Sequence, residues 1–423
     1  MHKDKVVLLE LAHKVREIAE KPEQAERREK WRRLNSLSIE RPMLNVNGFM
    51  WWDELYPDET TLECMHPACR TVERELKQRI LHDWLCNDTV IEPFVVLKAI
   101  YGGHYINTPE MGDLHFCKNT WGIEYERIQT SDGAWDIKPV IERLDDFNKM
   151  EAPKHIINEE LTAEYEEITN DCIGDIIPVV MDRGPMIRTY SASLLHDLIQ
   201  LRGYENVLYD LYENPEWLKK VLSFMTEGIL DLHNTVERNG DFRSINTFNQ
   251  TITYCNELPD PTASLEPVKR SSLWNYFESQ EFDIVSPAQT DEFCIQYHKL
   301  LAQDYGLIAF GCCEKLVDKI SVLRQFDKLR IIAVNAWTDI WNVMPKYADQ
   351  IGGDYVISLR PNPSSSLCNG FNAELLQEYL KAAKHCFAGL NFEINLKDVL
   401  TIRKDLNALK SWVDLAMDFC VSY

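Results

Sequence analysis

The sequence contains no run that approaches the ~18 consecutive apolar residues of a membrane-spanning helix. Residues 1–10 also lack the apolar core of a secretory signal peptide. Lysine and arginine are not clustered, and the formal net charge is −22, which disfavours nucleic acid and anionic membranes as partners. We therefore expect a cytoplasmic protein.

Nucleotide-binding motifs are also missing. No GxGxxG follows a predicted strand, and there is no Walker A sequence, so the usual signs of a nucleotide cofactor are lacking. No repeat of solenoid length is evident. The chain does have 12 cysteines, and in a reducing compartment these are expected to be buried thiols or metal ligands rather than disulfides.

Strand-like and helix-like segments alternate through the second half of the chain, which is typical of parallel strands joined by helices. We predict an α/β fold, a (β/α)8 TIM barrel of residues 89–423 with an insertion over 110–158 after an early strand. Residues 1–88 are predicted to form an N-terminal helical cap with a short strand, as part of the same structural unit. Within this plan we expect one long helix over 1–35, a second helical region over about 58–87, a strand over 244–249 and a helix directly after residue 314.

The stretch YGLIAFGCCE, residues 305–314, reads as an apolar strand that ends at Gly311 and presents Cys312, Cys313 and Glu314. The carboxyl ends of such strands carry the chemistry of α/β proteins. Neighbouring side chains alternate between faces, so we expect one cysteine inside the barrel and the other packed against the helices. We favour Cys313 inside the barrel. Cys312 remains the alternative, because Gly311 permits a bulge that would shift the alternation of side chains. Two buried thiols without a ligand role are the competing interpretation.

Other candidate residues follow predicted strands. Carboxylates that can reach the same edge are Glu278 and Glu292, with Glu393 and Asp398 as later candidates; Glu292 can equally complement a helix dipole. Polar residues of strand-end loops are His104, Tyr105, Asn107, Arg183, Arg360 and Asn362; the arginines either clamp a carboxylate or form ion pairs. Aromatic candidates for a substrate pocket are Trp51, Trp52, Tyr105, Trp274, Tyr276 and Trp337.

Two further histidine motifs are given structural interpretations. The motif CMHPAC, residues 64–69, has residue types that suit zinc, but its single histidine and Pro67 favour two buried thiols and a surface His66. His298 is expected on the outer or core face of the helix before the 305–314 strand.

Three segments carry a resemblance to a known family. They are GPMIRTYSASLLHDLIQLRGYENVLYDLYENPEWLKKVL (184–222), SPAQTDEFCIQYHKLL (286–301), and DYVISLRPNP (354–363) followed by NFEINLKDV (391–399). Over about residues 160–423 the chain resembles the uroporphyrinogen decarboxylase superfamily. The RxxGR-type cluster of the decarboxylase has no counterpart in the segment MLNVNGFMWWDEL, residues 43–55. The HxC zinc pattern of cobamide methyltransferases is incomplete, because the segment FGCC, residues 310–313, has no histidine. It looks closer to the anaerobic methyltransferases that demethylate aryl methyl ethers.

The resemblance implies a zinc-dependent methyltransferase. Zn2+ would be held by Glu278, Glu292 and Cys313 or Cys312, with one position open for the ether oxygen of a methoxylated aromatic. The methyl group would pass to the cob(I)alamin of a partner corrinoid protein, and His104 or Tyr276 would protonate the leaving phenolate. Alternatives are a metal-free decarboxylase-type lyase, a zinc methyltransferase acting on a methylamine, methylthiol or methylcobamide, and a non-catalytic binding barrel. The sequence is compatible with a homodimer and does not fix the oligomeric state.

Overall fold

The structure is a computed structural model that describes residues 2–47, 52–56, 61–102, 121–123, 127–129, 135–185, 194–245 and 250–423. Its strands are β1 Met43–Val46, β2 Val95–Lys98, β3 Arg127–Gln129, β4 Trp135–Ile137, β5 Val179–Asp182, β6 Trp274–Phe277, β7 Leu307–Phe310, β8 Leu329–Val334, β9 Val356–Leu359 and β10 Phe392–Leu396.

The helices account for most of the remaining described chain. The α-helices are α1 His2–Ala19, α2 Pro22–Asn35, α3 Trp52–Leu55, α4 Pro67–Leu85, α5 Glu159–Ile173, α6 Leu194–Arg202, α7 Tyr204–Glu213, α8 Pro215–Asn239, α9 Pro287–Thr290, α10 Gln296–Ala302, α11 Ile320–Leu323, α12 Met344–Ile351, α13 Ala373–Cys386 and α14 Leu406–Val421. A π-helical stretch, Asp291–Ile295, joins α9 to α10, and a second one covers Ser364–Cys368. Short 3-10 helices cover Leu144–Lys149, Arg270–Ser272 and Gln280–Phe282.

Six parallel strands form the main sheet, in the order β1-β10-β9-β8-β7-β6. Strands β2 and β5 form a second parallel pair, and β3 and β4 form an antiparallel pair within the predicted insertion. The predicted α/β class with parallel strands is therefore confirmed. Across the described ranges, the eight parallel strands lie in two sheets, and closure into a single barrel is not seen.

The two faces of the main sheet have different neighbours, because side chains alternate along each strand and parallel neighbours keep the alternation in register. One face packs against the helices in the largest apolar cluster, through residues such as Phe310, Ile332 and Ile394. The opposite face, here called the inner face, carries Met43, Trp274, Tyr276, Leu307, Ala309, Ile331 and Val356. Trp31 of α2 and the segment 250–255 cover this inner face.

Segment 250–255 is tied to the inner face by polar contacts as well as by packing. The Thr251 hydroxyl donates to the buried carboxylate of Glu393 at 2.9 Å, and the Asn395 side-chain amide donates to the Gln250 carbonyl at 2.9 Å. Ile252 and Tyr254 add apolar contact. Residues 244–245, where a strand is predicted, have no regular structure, and 246–249 lie outside the described residues.

Several sequence predictions need correction at the N-terminal side. The single helix predicted over 1–35 is two helices, because Pro22 lacks the N–H that would continue α1 and instead begins α2. The second helical region begins at Pro67, later than predicted. β1 is an edge strand of the main sheet, paired with β10. Among the described helices, none has the length and apolar character needed to cross a membrane.

Two smaller predictions near cysteines can also be checked. Cys64 and Cys69 are both buried, as expected, and His66 is half-buried at the start of α4, where its ring lies edge-on to Tyr165. The helix predicted directly after residue 314 is shorter than expected, since only Ile320–Leu323 is helical there.

Candidate functional site

The site is built around the turn that ends β7. Gly311 has φ +109°, a left-handed backbone conformation that residues with a Cβ rarely adopt. A Cβ there would also lie 2.6 Å from Leu316 Cδ1 and 3.0 Å from the Ala333 Cβ. The Gly311 N–H donates to the Phe277 carbonyl of β6 at 2.9 Å. Glycine is therefore required for the turn that redirects the chain at Cys312.

Both thiols lie at this edge. The Cys312 and Cys313 Sγ atoms are 3.7 Å apart; Cys312 is half-buried against the inner-face cluster, and Cys313 is exposed. The expectation that one cysteine packs against the helices is wrong, because the turn at Gly311 breaks the strand alternation on which it rested. Both sulfurs are instead available to the same site.

The hydrogen bond from Cys313 and two nearby cationic side chains favour the anionic form of Cys312. Lys397 Nζ lies 3.8 Å from its Sγ. A hydrogen bond from the Cys313 thiol and the charges of Lys397 and Arg360 hold the pKa of Cys312 well below its ordinary value, although desolvation opposes this. The pKa of Cys313 is raised, because its thiol is the donor to Cys312 and is partly desolvated. The pair is best described as one thiolate hydrogen-bonded by one thiol.

Asp398 adds a carboxylate to the sulfurs. Its Oδ2 lies 4.0 Å from Cys313 Sγ, and its negative charge contributes to the raised pKa of Cys313. Asp398 follows β10 with φ +57°, a conformation that costs a non-glycine residue free energy and that clusters at functional sites. It was one of the alternative ligand candidates predicted from the sequence.

Buried Glu314 joins the ends of β6 and β7. One carboxylate oxygen accepts from the Cys312 N–H at 2.8 Å, and the other accepts from the Ser279 N–H at 2.8 Å. Burial and the charge on Cys312 raise the pKa of Glu314. This residue fixes the backbone that carries the first sulfur and is a positioning residue.

Arg360 and Asn335 hold the same turn from the other side. The Arg360 guanidinium donates to the Cys312 carbonyl at 2.6 Å and to the Gly311 carbonyl at 3.0 Å. The Asn335 side-chain amide donates to the Cys313 carbonyl at 2.7 Å. Arg360 therefore binds backbone rather than presenting an open carboxylate clamp, while Asn362, the other predicted clamp residue of this region, accepts from the Ser364 N–H at 2.9 Å.

Tyr276 and Glu278 also belong to this region. The buried Tyr276 hydroxyl donates to the Gly311 carbonyl at 3.1 Å, and burial and the Cys312 charge raise its pKa well above the ordinary value. A phenol held neutral in this way supports the turn. The buried Glu278 carboxylate accepts from the Gln280 N–H at 2.7 Å and lies close enough to contribute to the electrostatics of Tyr276.

Two other predicted carboxylates have their own partners. Glu292 lies on the exposed side of the π-helical stretch, where it pairs with Lys219 at 2.9 Å. Glu393 is fully buried on β10 and accepts from the hydroxyls of Ser358 and Thr251 at 2.6 and 2.9 Å. Burial raises the pKa of Glu393, although these hydrogen bonds oppose the shift. The structure does not bring either residue into contact with the sulfurs.

Arg183 and Trp274 likewise have structural partners. Arg183 forms ion pairs with Asp241 and Glu159, each at 2.7 Å, as the ion-pair alternative predicts. Trp274 is the first residue of β6, at the opposite end from the sulfurs, and its indole N–H donates to the Thr253 carbonyl at 3.0 Å.

Trp52 and Trp337 complete the described aromatic candidates. The Trp52 ring packs edge-on to His82 in the partly buried wall of the large core. Trp337 is 70% exposed and comes two residues after Asn335, which holds Cys313. Trp337 is thus the predicted aromatic that the structure places on the rim of this edge. Trp51, His104, Tyr105 and Asn107 lie outside the described residues.

Four further residues lie at or near this site and are not predicted from the sequence: Lys397, Gln250 and the pair His196–Glu281. Gln250 Oε1 accepts from Lys397 at 2.9 Å and from Arg360 at 3.4 Å. His196 Nδ1 lies 3.1 Å from the buried Glu281 carboxylate. Burial lowers the pKa of His196, but the hydrogen bond and charge of Glu281, with a further contribution from Cys312, give a net increase.

One of these residues left a signal in the sequence. Lys397 directly follows the buried strand FEINL, and a lysine at the carboxyl end of such a strand must find a partner. His298 is buried as expected on the core face, 3.4 Å from Cys294 Sγ, and burial lowers its pKa to about 3.

The fit of this site to zinc can be tested on the sulfur positions. Two sulfurs bound to one tetrahedral zinc, each about 2.3 Å from the ion, lie about 3.8 Å apart. The observed separation of 3.7 Å matches this, and Asp398 offers an oxygen next to Cys313. Within the described part of the chain, no three His, Cys, Asp or Glu side chains already surround a common metal position. The dithiol fits the ion, and the exposed Asp398 would have to turn toward it.

Comparison with known proteins adds no family. No protein-family model matches this chain, and no curated protein matches its sequence.

Proposed function

We propose that this protein is a methyltransferase that removes the methyl group from a methoxylated aromatic compound and passes it to cob(I)alamin on a partner corrinoid protein. The observation that supports this most directly is the Cys312–Cys313 dithiol, with its sulfurs 3.7 Å apart and Cys313 exposed at the carboxyl edge of the parallel sheet. Soft thiolate ligands suit zinc, and this edge is where barrel enzymes place reacting groups. The resemblance over residues 160–423 points to the same reaction class.

We also infer that the two parallel sheets are parts of one (β/α)8 barrel. The six strands of the main sheet and the two of the β2–β5 pair supply eight parallel strands, the number that such a barrel requires. The inner face and segment 250–255 would then form its filled interior.

The dithiol and Asp398 would hold the zinc, in place of Glu278 and Glu292, which have other partners. When bound there, zinc would supply the Lewis acidity that stabilises a phenolate as it leaves. The contribution of the chain is to fix the ligands. Glu314, Arg360 and Asn335 hold the backbone groups of Cys312 and Cys313 from both sides, so the sulfurs keep their positions.

Two residues at the rim would act on the substrate itself. Trp337 presents an exposed indole on which an aryl ring can stack, leaving its methoxy group directed at the dithiol. His196 has a charged form favoured by Glu281 at Nδ1, and its Nε2 lies 2.5 Å from the Gln200 amide; it would exchange the Gln200 contact for the phenolate oxygen to donate a proton. Tyr276, one of the two acids predicted from the sequence, donates its hydroxyl hydrogen bond to the Gly311 carbonyl and has a positioning role.

The proposal is tested with protein purified under anaerobic conditions. We expect about one zinc per chain, and we expect methylcobalamin to form, seen by its absorption spectrum, when the protein is mixed with cob(I)alamin and a panel of methoxybenzoates. Cys312→Ser should lose both the zinc and the reaction, while Cys86→Ser, at an exposed cysteine elsewhere, should retain both. Full methyl transfer by Cys312→Ser would refute the proposed site.

A metal-free lyase of the decarboxylase type is the second candidate. It is favoured by the contact of Lys397 with Cys312, because the ammonium group already neutralises the thiolate without a metal. Release of CO2 from an aromatic carboxylate by chelator-treated protein, with no methyl transfer from the same panel, would establish the lyase. Methylamines and methylated thiols, assayed beside the methoxybenzoates, distinguish the other methyl donors.

A further inference from the structure

We infer that Cys312 and Cys313 are a site of reversible oxidation, at which a hydroperoxide joins the two sulfurs in a disulfide within the chain. Their Sγ atoms are 3.7 Å apart, whereas a disulfide bond is about 2.05 Å long. Rotation about the two Cα–Cβ bonds has to close a gap of under two ångströms. The exposed Cys313 side leaves the pair open to a small oxidant.

The surroundings of this pair differ from those of a second close pair of thiols among the described residues. Cys69 and Cys172 also lie within hydrogen-bonding distance, but both are buried in the core cluster of α1, α4 and α5. An oxidant reaches them only when that core opens. The thiols are therefore close together in both pairs, but of the two pairs it is Cys312–Cys313 that an oxidant can reach. This makes Cys69 and Cys172 an internal control.

The proposed step balances in atoms and electrons. The Cys312 sulfur attacks the near oxygen of the hydroperoxide, the O–O bond breaks, and Cys312 sulfenic acid and an alcohol (water, for hydrogen peroxide) form. The Cys313 sulfur then displaces the sulfenic oxygen as water, and the S–S bond forms. The hydroperoxide takes up two electrons, and the two thiol protons end on the released alcohol and water.

The ring formed in this way is strained. Neighbouring Cα atoms lie about 3.8 Å apart across a trans peptide, below the usual disulfide range that begins near 4.4 Å. A strained disulfide is reduced readily, so the oxidised form should be short-lived in the presence of a dithiol. This makes the modification reversible.

The consequence for function rests on the proposed function. Oxidation ties up both sulfurs that would bind zinc, so the oxidised protein would neither hold the metal nor transfer a methyl group. Reduction would restore both.

The test measures the masses of labelled tryptic peptides rather than methyl-transfer activity. Full-length, chelator-treated protein is exposed to hydrogen peroxide, unfolded, alkylated with iodoacetamide and digested with trypsin. Residues 300–315 form one tryptic peptide, between Lys299 and Lys315, in which Cys312 and Cys313 are the only cysteines. We expect this peptide to take no label and to lack two hydrogens, and to take two labels after dithiothreitol. Peptides with Cys69 and Cys172 should take their labels throughout.

Two outcomes would overturn the inference. One is a 300–315 peptide that takes two labels after the peroxide treatment that oxidises Cys86. The other is sulfinic or sulfonic acid on Cys313 without any S–S bond. In Cys312→Ser the disulfide cannot form, and Cys313 should stay available to the label at low peroxide. The result is independent of the proposed function, since a disulfide formed by a protein with no methyl-transfer activity would refute only the latter.

Discussion

The contact between Lys397 and Cys312 makes the most direct prediction. Replacing Lys397 with methionine keeps most of the side-chain volume and removes the ammonium group that lies 3.8 Å from Cys312 Sγ. Because a positive charge favours the thiolate, its loss raises the pKa of Cys312. The thiolate fraction at a given pH then falls.

The size of the effect follows from the distance. Two unit charges 3.8 Å apart interact by roughly 4 kcal/mol at an effective dielectric constant of about 20. Arg360 and the Cys313 thiol remain in the variant and compensate in part, and water reaches the exposed Cys313 side. We therefore expect about 1.4 to 2 kcal/mol to be lost, or a ten- to thirtyfold smaller thiolate fraction at acid pH.

The assay is the rate of alkylation of Cys312 by iodoacetamide in chelator-treated protein, followed across pH on the 300–315 peptide with fragment ions that locate the label. On the acid side of the profile, Lys397→Met should react ten- to thirtyfold more slowly than wild type. Lys315→Met is the matched control, because Lys315 is exposed in the same loop as the cysteines and pairs with Asp318. In this variant trypsin cleaves next at Lys319, so the label is read on the 300–319 peptide, which contains no other cysteine. Equal rates for the two variants would refute the electrostatic role of Lys397.

Three further predictions concern stability, measured by denaturant unfolding. Gly311→Ala should lower the free energy of unfolding by about 1–3 kcal/mol more than Gly370→Ala, because both have a left-handed φ but only Gly311 has close neighbours; equal losses would contradict this. His298 has a pKa of about 3 when folded against its ordinary 6.5, so only the unfolded chain takes up this proton as the pH falls from 6.5. His298→Met should therefore flatten the loss of stability between pH 6.5 and 4, whereas His13→Gln, at the surface, should not. Arg202→Met leaves a buried carboxylate unpaired and should cost about 3–5 kcal/mol; a loss below 1 kcal/mol would show that the site relaxes.

The strands of this fold could be predicted from the sequence better than its helices. Buried strands such as LRIIAV and FEINL are short apolar runs bounded by polar turns, and both are found where predicted. The long N-terminal helix was predicted as one because its charge pattern is helical on both sides of Pro22, and only the missing N–H ends it. The predicted closure of the sheet into a barrel rests on the number of strand–helix pairs, because pairing between distant strands leaves no local signal in the sequence.

The site was predictable to the level of the strand that carries it. Gly311, Cys312 and Cys313 were singled out because a glycine and two thiols end an apolar run. The sequence favours Cys313 as the inner cysteine, but Cys312 is the one that packs against the inner face and Cys313 is exposed, since the direction of each side chain depends on a backbone turn rather than on spacing. Glu278 and Glu292 were chosen for their position along the chain, and their partners, Gln280 and Lys219, become neighbours only through local folding.

The charge at the sulfurs comes from neighbours far away in the sequence. Lys397 and Arg360 follow β10 and β9, while Cys312 follows β7, so the three residues meet only because parallel strands end at one edge. The chain as a whole carries a charge of −22, which by itself would disfavour another anion. The thiolate is stabilised by two buried cations, Lys397 in contact with the sulfur and Arg360 through its nearby charge, and dissolved salt screens buried charges weakly. It follows that the reactivity of Cys312 should depend on these two side chains far more than on ionic strength.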